Sequence, residues 1–504
     1  MTHHKALCGT TAILLALTGT AQADVTSADV WANWKAAAES VGQTLTPGNE
    51  TSGGGVISLT DVAIAMSMPE VEVTGSIASI EFSENGDGTV AITVSPSYSM
   101  NVNVDPEYGE KVDVTLSVLQ EGLAMVASGD PDAVKYDFFA SNMNLSVDEF
   151  VVDGEAIEMV ADLSIADMAG EYLVSAGEMT EMETELSADQ LILNVSANEP
   201  GGGEGRFAMN FAYADFAARS DGSMMMMTDP DALPEMLAAG MSTETEMSHG
   251  EATFEVSFKD SRDSFALDGS ASGGYFGIGL DKDAMAYGVN NTDLDLVVSG
   301  SEIPLPQIAV SAAEIGFGFL MPISKSAEPQ DFDLEITLDQ FAVSEMIWGM
   351  VDPGGALPHD PATLLVGLTG KANLLFDLFD PEGPGAADGP MPGEIHELNI
   401  EEVKLSVAGA ELTGEGAFTF DNANLEAFDG IPAPTGAVDM KLVGANGLID
   451  SLIAMGLLPE DQAMMGRMMM GMFAVPGEGE DTLTSKIEID GAAGSISANG
   501  QRLK

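Results

Sequence analysis

Apolar residues in this chain recur at every second position, in run after run, and turn dipeptides separate the runs. Val62, Ile64, Met66 and Met68 alternate with small or polar residues. Ile80 and Phe82 lead into Asn85-Gly86-Asp87-Gly88, and Val90, Ile92 and Val94 follow. Two alternating runs about a glycine turn predict a β-hairpin. The same period continues in VDVTLSVL (112–119), YDFFASNMNLSV (136–147), QLILNVSA (190–197) and ATFEVSF (252–258). It resumes in LDLVVSG (294–300), FDLEITLDQFAV (332–343), VKLSVAGAELTGEGAFTF (403–420) and AVDMKLVG (437–444). One apolar face per strand and tight turns argue against βαβ units. The expected fold is mainly β: a long curved antiparallel meander sheet with a few short helices and a C-terminal αα-hairpin.

Four segments break the period. Residues 26–45 place Val30, Trp34, Ala37, Ala38, Val41 and Leu45 on one helical face, with Ser27 as the expected cap and Gly42 as the terminator. Residues 228–240, 344–351 and 446–473 are the other expected helices. Gly/Pro-rich linkers fall at EPGGGEG (199–205) and DPEGPGAADGPMPG (380–393). The mature chain, 24–504, is expected as one elongated β domain, either undivided or in two halves, 24–245 and 246–504.

The N-terminus carries Lys5, an apolar run from Leu7 to Leu17, and Ala21-Gln22-Ala23 before Asp24. That pattern predicts a cleavable signal peptide and a periplasmic protein. The apolar run is well short of the ~20 residues of a membrane span. Cleavage removes the single cysteine, so disulfides contribute nothing to the mature fold. It leaves 16 basic against 81 acidic residues, a net charge of −65. A surface of that sign repels nucleic acid and anionic membranes. No calcium-loop spacing appears; Asp293-Leu294-Asp295 and Asn85-Gly86-Asp87-Gly88 are the nearest approaches.

Catalytic constellations are lacking. There is no G-x-S-x-G, and His396-Glu397 has no second histidine one turn on. Gly370-Lys371 lacks the rest of a phosphate loop. His249, His359 and His396 are isolated in a mature chain without cysteine, which leaves little material for a zinc site or a nucleophile–base pair. The reading is of a non-catalytic protein with no metal and no cofactor.

The stretch LLPEDQAMMGRMMMGMFAVPG (457–477) is the densest feature. Leu448, Ile449, Leu452 and Ile453 form one helical face, with Asn446 as the expected cap and Gly456 at the C-terminal end. Pro459 suits the start of a second helix. Met464, Met465, Met468, Met469 and Met472 then make one stripe. Thioethers can bind copper(I). They can also fill irregular apolar surface. The reading adopted is packing or apolar-ligand contact, with copper(I) as an alternative. Met224 to Met227, being contiguous, also read as packing.

The start, ADVTSADVWANWKAAAESVGQTLT, and the end, GLLPEDQAMMGRMMMGMFAVPGEGEDTLTSKIEIDGAAGSISANGQRL, resemble an uncharacterised bacterial family, domain of unknown function family 2125. The resemblance covers nearly the whole mature chain and implies no activity. Residues 405–458 are also similar to the C-terminal part of AsmA-like envelope proteins. That resemblance implies a long curved sheet whose groove handles lipid. The terminal helical hairpin is expected to cover or plug the apolar concave face of the sheet. The expectation is a protein that handles lipid or another apolar ligand, with a structural or interaction protein as the alternative.

Overall fold

The computed structural model describes residues 24–175, 179–199, 203–224, 232–379 and 393–504. Ala21 and Ala23 of the expected cleavage site, most of the 380–393 linker, and Met225 to Met227 lie outside them.

The chain enters as a helix, α1 (Ser27–Ser40). Thr26, not Ser27, caps it, in a capping box with Asp29. Gly42, at φ 76°, ends it. Leu45, expected on the helix, therefore falls in the first strand.

The strands then follow almost without interruption. The first group is β1 (Gln43–Gly53), β2 (Val56–Met68), β3 (Val71–Glu84), β4 (Val90–Val94), β5 (Ser97–Val104), β6 (Val112–Glu121), β7 (Ala124–Asp130) and β8 (Ala133–Val152). Next come β9 (Glu155–Ala156), β10 (Met159–Ser175), β11 (Thr180–Asn198), β12 (Arg206–Met224) and a short helix, α2 (Leu233–Ala238). The middle holds β13 (Ser242–His249), β14 (Ala252–Lys259), β15 (Ser264–Ala271), β16 (Gly273–Leu280), β17 (Ala284–Gly300), β18 (Ile308–Pro322) and β19 (Gln330–Val343). After α3 (Glu345–Val351) come β20 (Ala362–Leu374), β21 (Gly393–Val407), β22 (Ala410–Asp421) and β23 (Ala433–Val443). The helices α4 (Ala445–Ala454) and α5 (Glu460–Phe473) precede β24 (Val475–Pro476), β25 (Thr482–Asp490), β26 (Ser495–Ala498) and β27 (Gln501–Arg502).

Every strand ladder is antiparallel, and strands pair with their neighbours in sequence, except that β23 pairs with β25 across α4, α5 and the two-residue β24. Short strands that look like exceptions are collinear halves. Thus β4 and β5 both pair with β3, while β6 and β7 both pair with β8. Likewise β13 and β14 share β12, and β15 and β16 share β17. The result is one continuous meander. The expected division at 245/246 falls inside β13.

The halves are split at a common level. There the pairing pauses, and aspartates inside long strands adopt the left-handed conformation: Asp61 (φ 54°), Asp167 (φ 47°), Asp215 (φ 49°) and Asp293 (φ 47°). Asp167 stands opposite Ser141, Asp215 opposite Asp189, and Asp293 opposite Ala313. These irregularities line up strand after strand as a crease across the sheet. Aspartate tolerates this backbone because its short side chain bonds locally. A left-handed residue also shifts the in–out alternation by one. Leu59 and Val62, three apart around Asp61, would point oppositely in a regular strand; both are fully buried in one cluster. Asp61→Val should therefore cost about 1–3 kcal/mol, whereas Asp61→Gly should be near neutral. Urea unfolding checks both, and equal midpoints for the two variants would mean that the crease carries no left-handed constraint.

Sheet edges are blunted. Pro47 interrupts β1, and the opposite edge ends in the two-residue β27.

Candidate functional site

The two faces of the sheet differ in chemistry. In β11, Glu181, Glu183 and Glu185 point out and are exposed, while Met182, Thr184 and Leu186 point in and are half-buried. The outer face thus carries much of the acidic excess. The inner face is apolar on both sides of the crease. On one side Leu186, Ala218, Met247, Phe276, Val289 and Phe317 are successive cross-strand partners. On the other side the row is Leu193, Phe211, Phe254, Gly269, Leu296 and Val310.

Small or slender side chains flank the crease on this face. Ala140, Met168, Ala188, Ala252, Ala271 and Ala312 are all buried. Residues at the bottom of a bend lose water first when both walls rise above them, so the apolar face is the inside of the bend. Higher on the walls, Phe207, Phe258, Phe265, Met247, Ile278 and Phe317 remain 36–42 % exposed. Aromatic rings there lie against one another and against glycine. Tyr287 meets Phe319 at 5.9 Å and Phe276 at 5.7 Å between ring centroids. A Cβ on Gly269 would come within 2.0 Å of the Phe254 ring, so that ring lies flat on the sheet. Between β8 and β20 the trough crosses nine strand spacings, about 45 Å at ~4.8 Å each.

At its N-terminal end the trough is filled. Val30 and Trp31 are buried among Ile57, Leu59, Ile80, Phe82, Val90 and Tyr136. Trp34 stands edge-on to Phe82 at 5.2 Å. Tyr136 donates its hydroxyl to Asn33 Oδ1 at 2.8 Å and stacks on Tyr172 at 4.5 Å. Burial pushes the Tyr172 phenol up to about 12 and Tyr136 higher still, so both stay neutral at ordinary pH. The helix axis, ~21 Å for its 14 residues, covers roughly four strand spacings.

The outer face holds two concavities. One, of about 660 Å³, is lined by Ala124, Phe139, Ala169 and Ala217, with Glu171, Glu185, Arg219 and Glu246 around it. Tyr275 at its edge is 3.1 Å from Glu246 Oε1, and burial together with that carboxylate pushes its phenol up to about 12. The other, of about 530 Å³, lies at the β-bulge around Glu401 and Glu402 and includes Glu415, Asp439, Lys441 and Lys486.

The three isolated histidines stay apart. His249 Nδ1 lies 2.8 Å from the Gly250 carbonyl. His396 bonds to Asn373. His359 stacks on Trp348 at 4.3 Å, with Glu345 at 3.2 Å and the buried Asp352 at 3.6 Å. Backbone N–H donors from Ala356 and Leu357 hold the Asp352 carboxyl below the usual carboxylate range. Among the described residues no three His, Cys, Asp or Glu side chains are grouped to hold a metal.

The C-terminal hairpin corrects two expectations. Its helices form as expected, but Asn446 does not cap α4. Gly444 does, and Asn446 instead bonds Asp481 and Arg467. The methionine stripe does not pack inside the chain. Met464, Met465, Met468, Met469 and Met472 are 55–67 % exposed. The inward side of α5 is Ala463, half-buried Met470 and Arg467, which reaches Asn446 and Asp450. Leu448, Ile449, Leu452 and Ile453 are half-buried on α4, whose sheet contact is with β22. The structure therefore brings the α4 face and the stripe onto one hairpin, with the stripe turned to solvent instead of covering the trough.

These features define a class: an unbroken antiparallel meander, creased along its length, apolar inside and acidic outside, with a helix seated in one end. Residues 249–499 match the family described as "Uncharacterized protein conserved in bacteria (DUF2125)", and through that half the chain belongs to it. The match stops short of the whole mature chain that the sequence resemblance suggested. No curated protein and no solved structure matches the chain. Nothing in these comparisons supports the AsmA-like resemblance of residues 405–458. Among the described residues no helix is long and apolar enough to cross a membrane.

Proposed function

We propose that this is a non-catalytic periplasmic protein that handles lipid or another apolar ligand in the cell envelope, with the inner trough as the ligand's seat. The observation that carries this reading is the row of half-exposed Met247, Ile278 and Phe317 facing Phe207, Phe258 and Phe265 across a buried floor. Apolar surface in that quantity, left in a concave face, is the ordinary signature of an apolar binding groove. The trough is also longer than the ~15 Å that one acyl chain occupies in half of a ~30 Å hydrocarbon core. The outer concavities, ringed by carboxylates, suit such a ligand less well. The N-terminal pattern supports export.

The test is lipid extraction and mass spectrometry of the protein purified from a native periplasm, with titration of the delipidated protein by a fluorescent sixteen-carbon fatty acid. Co-purifying lipid and saturable binding are expected. A clean extract together with no saturable binding would remove the reading.

A further inference from the structure

We propose that the exposed face of α5 is a binding site for a soft monovalent metal ion, copper(I), held by thioether sulfurs around Met468. The proposal is independent of the trough. It starts from the inward side of α5: Ala463 and Arg467 make the contact with α4, so the five methionines have no structural duty inside the chain. Five of the six large exposed residues along that face are methionine, Phe473 at its C-terminal end being the sixth, whereas α4 next to it uses leucine and isoleucine. An apolar face needs no sulfur. A helix built to lie on a membrane carries Lys or Arg beside Leu, Phe or Trp; the single basic residue of α5 is turned inward to Asp450. What its five methionines offer in common is the thioether, a soft ligand that selects copper(I).

The spacing allows convergence. Side chains three and four apart on a helix have Cβ atoms about 5–6 Å apart. Met468 is four from Met464 and Met472 and three from Met465, so two overlapping groups of three share it: Met464, Met465 and Met468, or Met468, Met469 and Met472. Methionine's three rotatable bonds let the sulfurs of either group turn onto one point. Glu460 and Asp461 lie one turn before Met464 and Met465, and the whole chain is strongly anionic, so the local field favours a cation. Because Met468 belongs to both groups, one ion per chain is the expected capacity.

The experiment titrates the full chain with silver(I), a redox-stable probe of the same softness, and with copper(I) against a competing chelator without oxygen. Methionine methyl groups are followed by NMR. One equivalent should bind, with shifts confined to the α5 methyl groups. Met468→Leu should weaken binding at least ~30-fold, and Leu at 464, 465, 468, 469 and 472 together should abolish it. Leucine keeps volume and hydrophobicity, and the positions are exposed, so the circular dichroism spectrum should not change. Equal binding by wild type and the five-leucine variant, or none by wild type, overturns the proposal. If neither binds metal while both self-associate or bind neutral phosphatidylcholine vesicles alike, the stripe is an apolar docking face instead.

Discussion

Replacing Trp31 with alanine should lower the free energy of unfolding by about 3–5 kcal/mol, the range for truncating a fully packed aromatic side chain. Trp31 is buried, tilts against Phe82 with ring centroids 5.9 Å apart, donates its indole N–H to Glu50 at 3.3 Å, and carries Lys35 over its ring. The void cannot collapse easily, because the walls around it are held by strand pairing on both sides. The measurement is the urea midpoint of the transition reported by Tyr136 and Trp34 fluorescence. A loss below ~1 kcal/mol would mean that α1 rests on the trough without anchoring it. Trp34→Ala should cost less, since Trp34 is only partly buried.

Ile278→Asp combined with Phe317→Asp should weaken apolar-ligand binding by about 100-fold, while the protein stays folded. Both positions keep about 40 % of their surface in water, so the carboxylates can remain solvated in the empty protein. An acyl chain laid over them would strip that water. A few kcal/mol of desolvation translates to that loss at ~1.4 kcal/mol per tenfold. Phe139→Asp is the matched control: it is 42 % exposed, but it lines the 660 Å³ concavity on the outer face. Loss of binding in that variant, with the inner pair silent, would move the ligand to the outside of the sheet. Fluorescent fatty-acid titration reads both variants.

The β class and the hairpin at Asn85–Gly88 were legible because a period of two states which residues share a face. Periodicity does not say which way a face looks. The methionine stripe was visible, but its direction depends on Ala463 and Arg467, whose value lies in a close approach and in bonds to Asn446 and Asp450. On α1, apolar spacing favoured Trp34 over Trp31. The helix is sunk in a trough and buries a wider arc than one stripe, including Asn33, whose partner Tyr136 lies 103 residues away. The crease left a trace that could have been read. Asp61 sits where the alternation slips between Leu59 and Val62, and Asp293, weighed as part of a calcium loop, marks the same slip in β17.

A chain whose strands pair almost throughout with their neighbours in sequence has a connectivity of one dimension. Its stability accumulates hairpin by hairpin, as it does in stacked repeat proteins. A polypeptide that emerges amino end first would complete α1 and its surrounding core before the last strands appear. Each finished strand would then template the next, with no wait for a distant partner. The same connectivity lets hairpins be added or lost without disturbing the remainder, so such a sheet can change length over evolutionary time while keeping one cross-section.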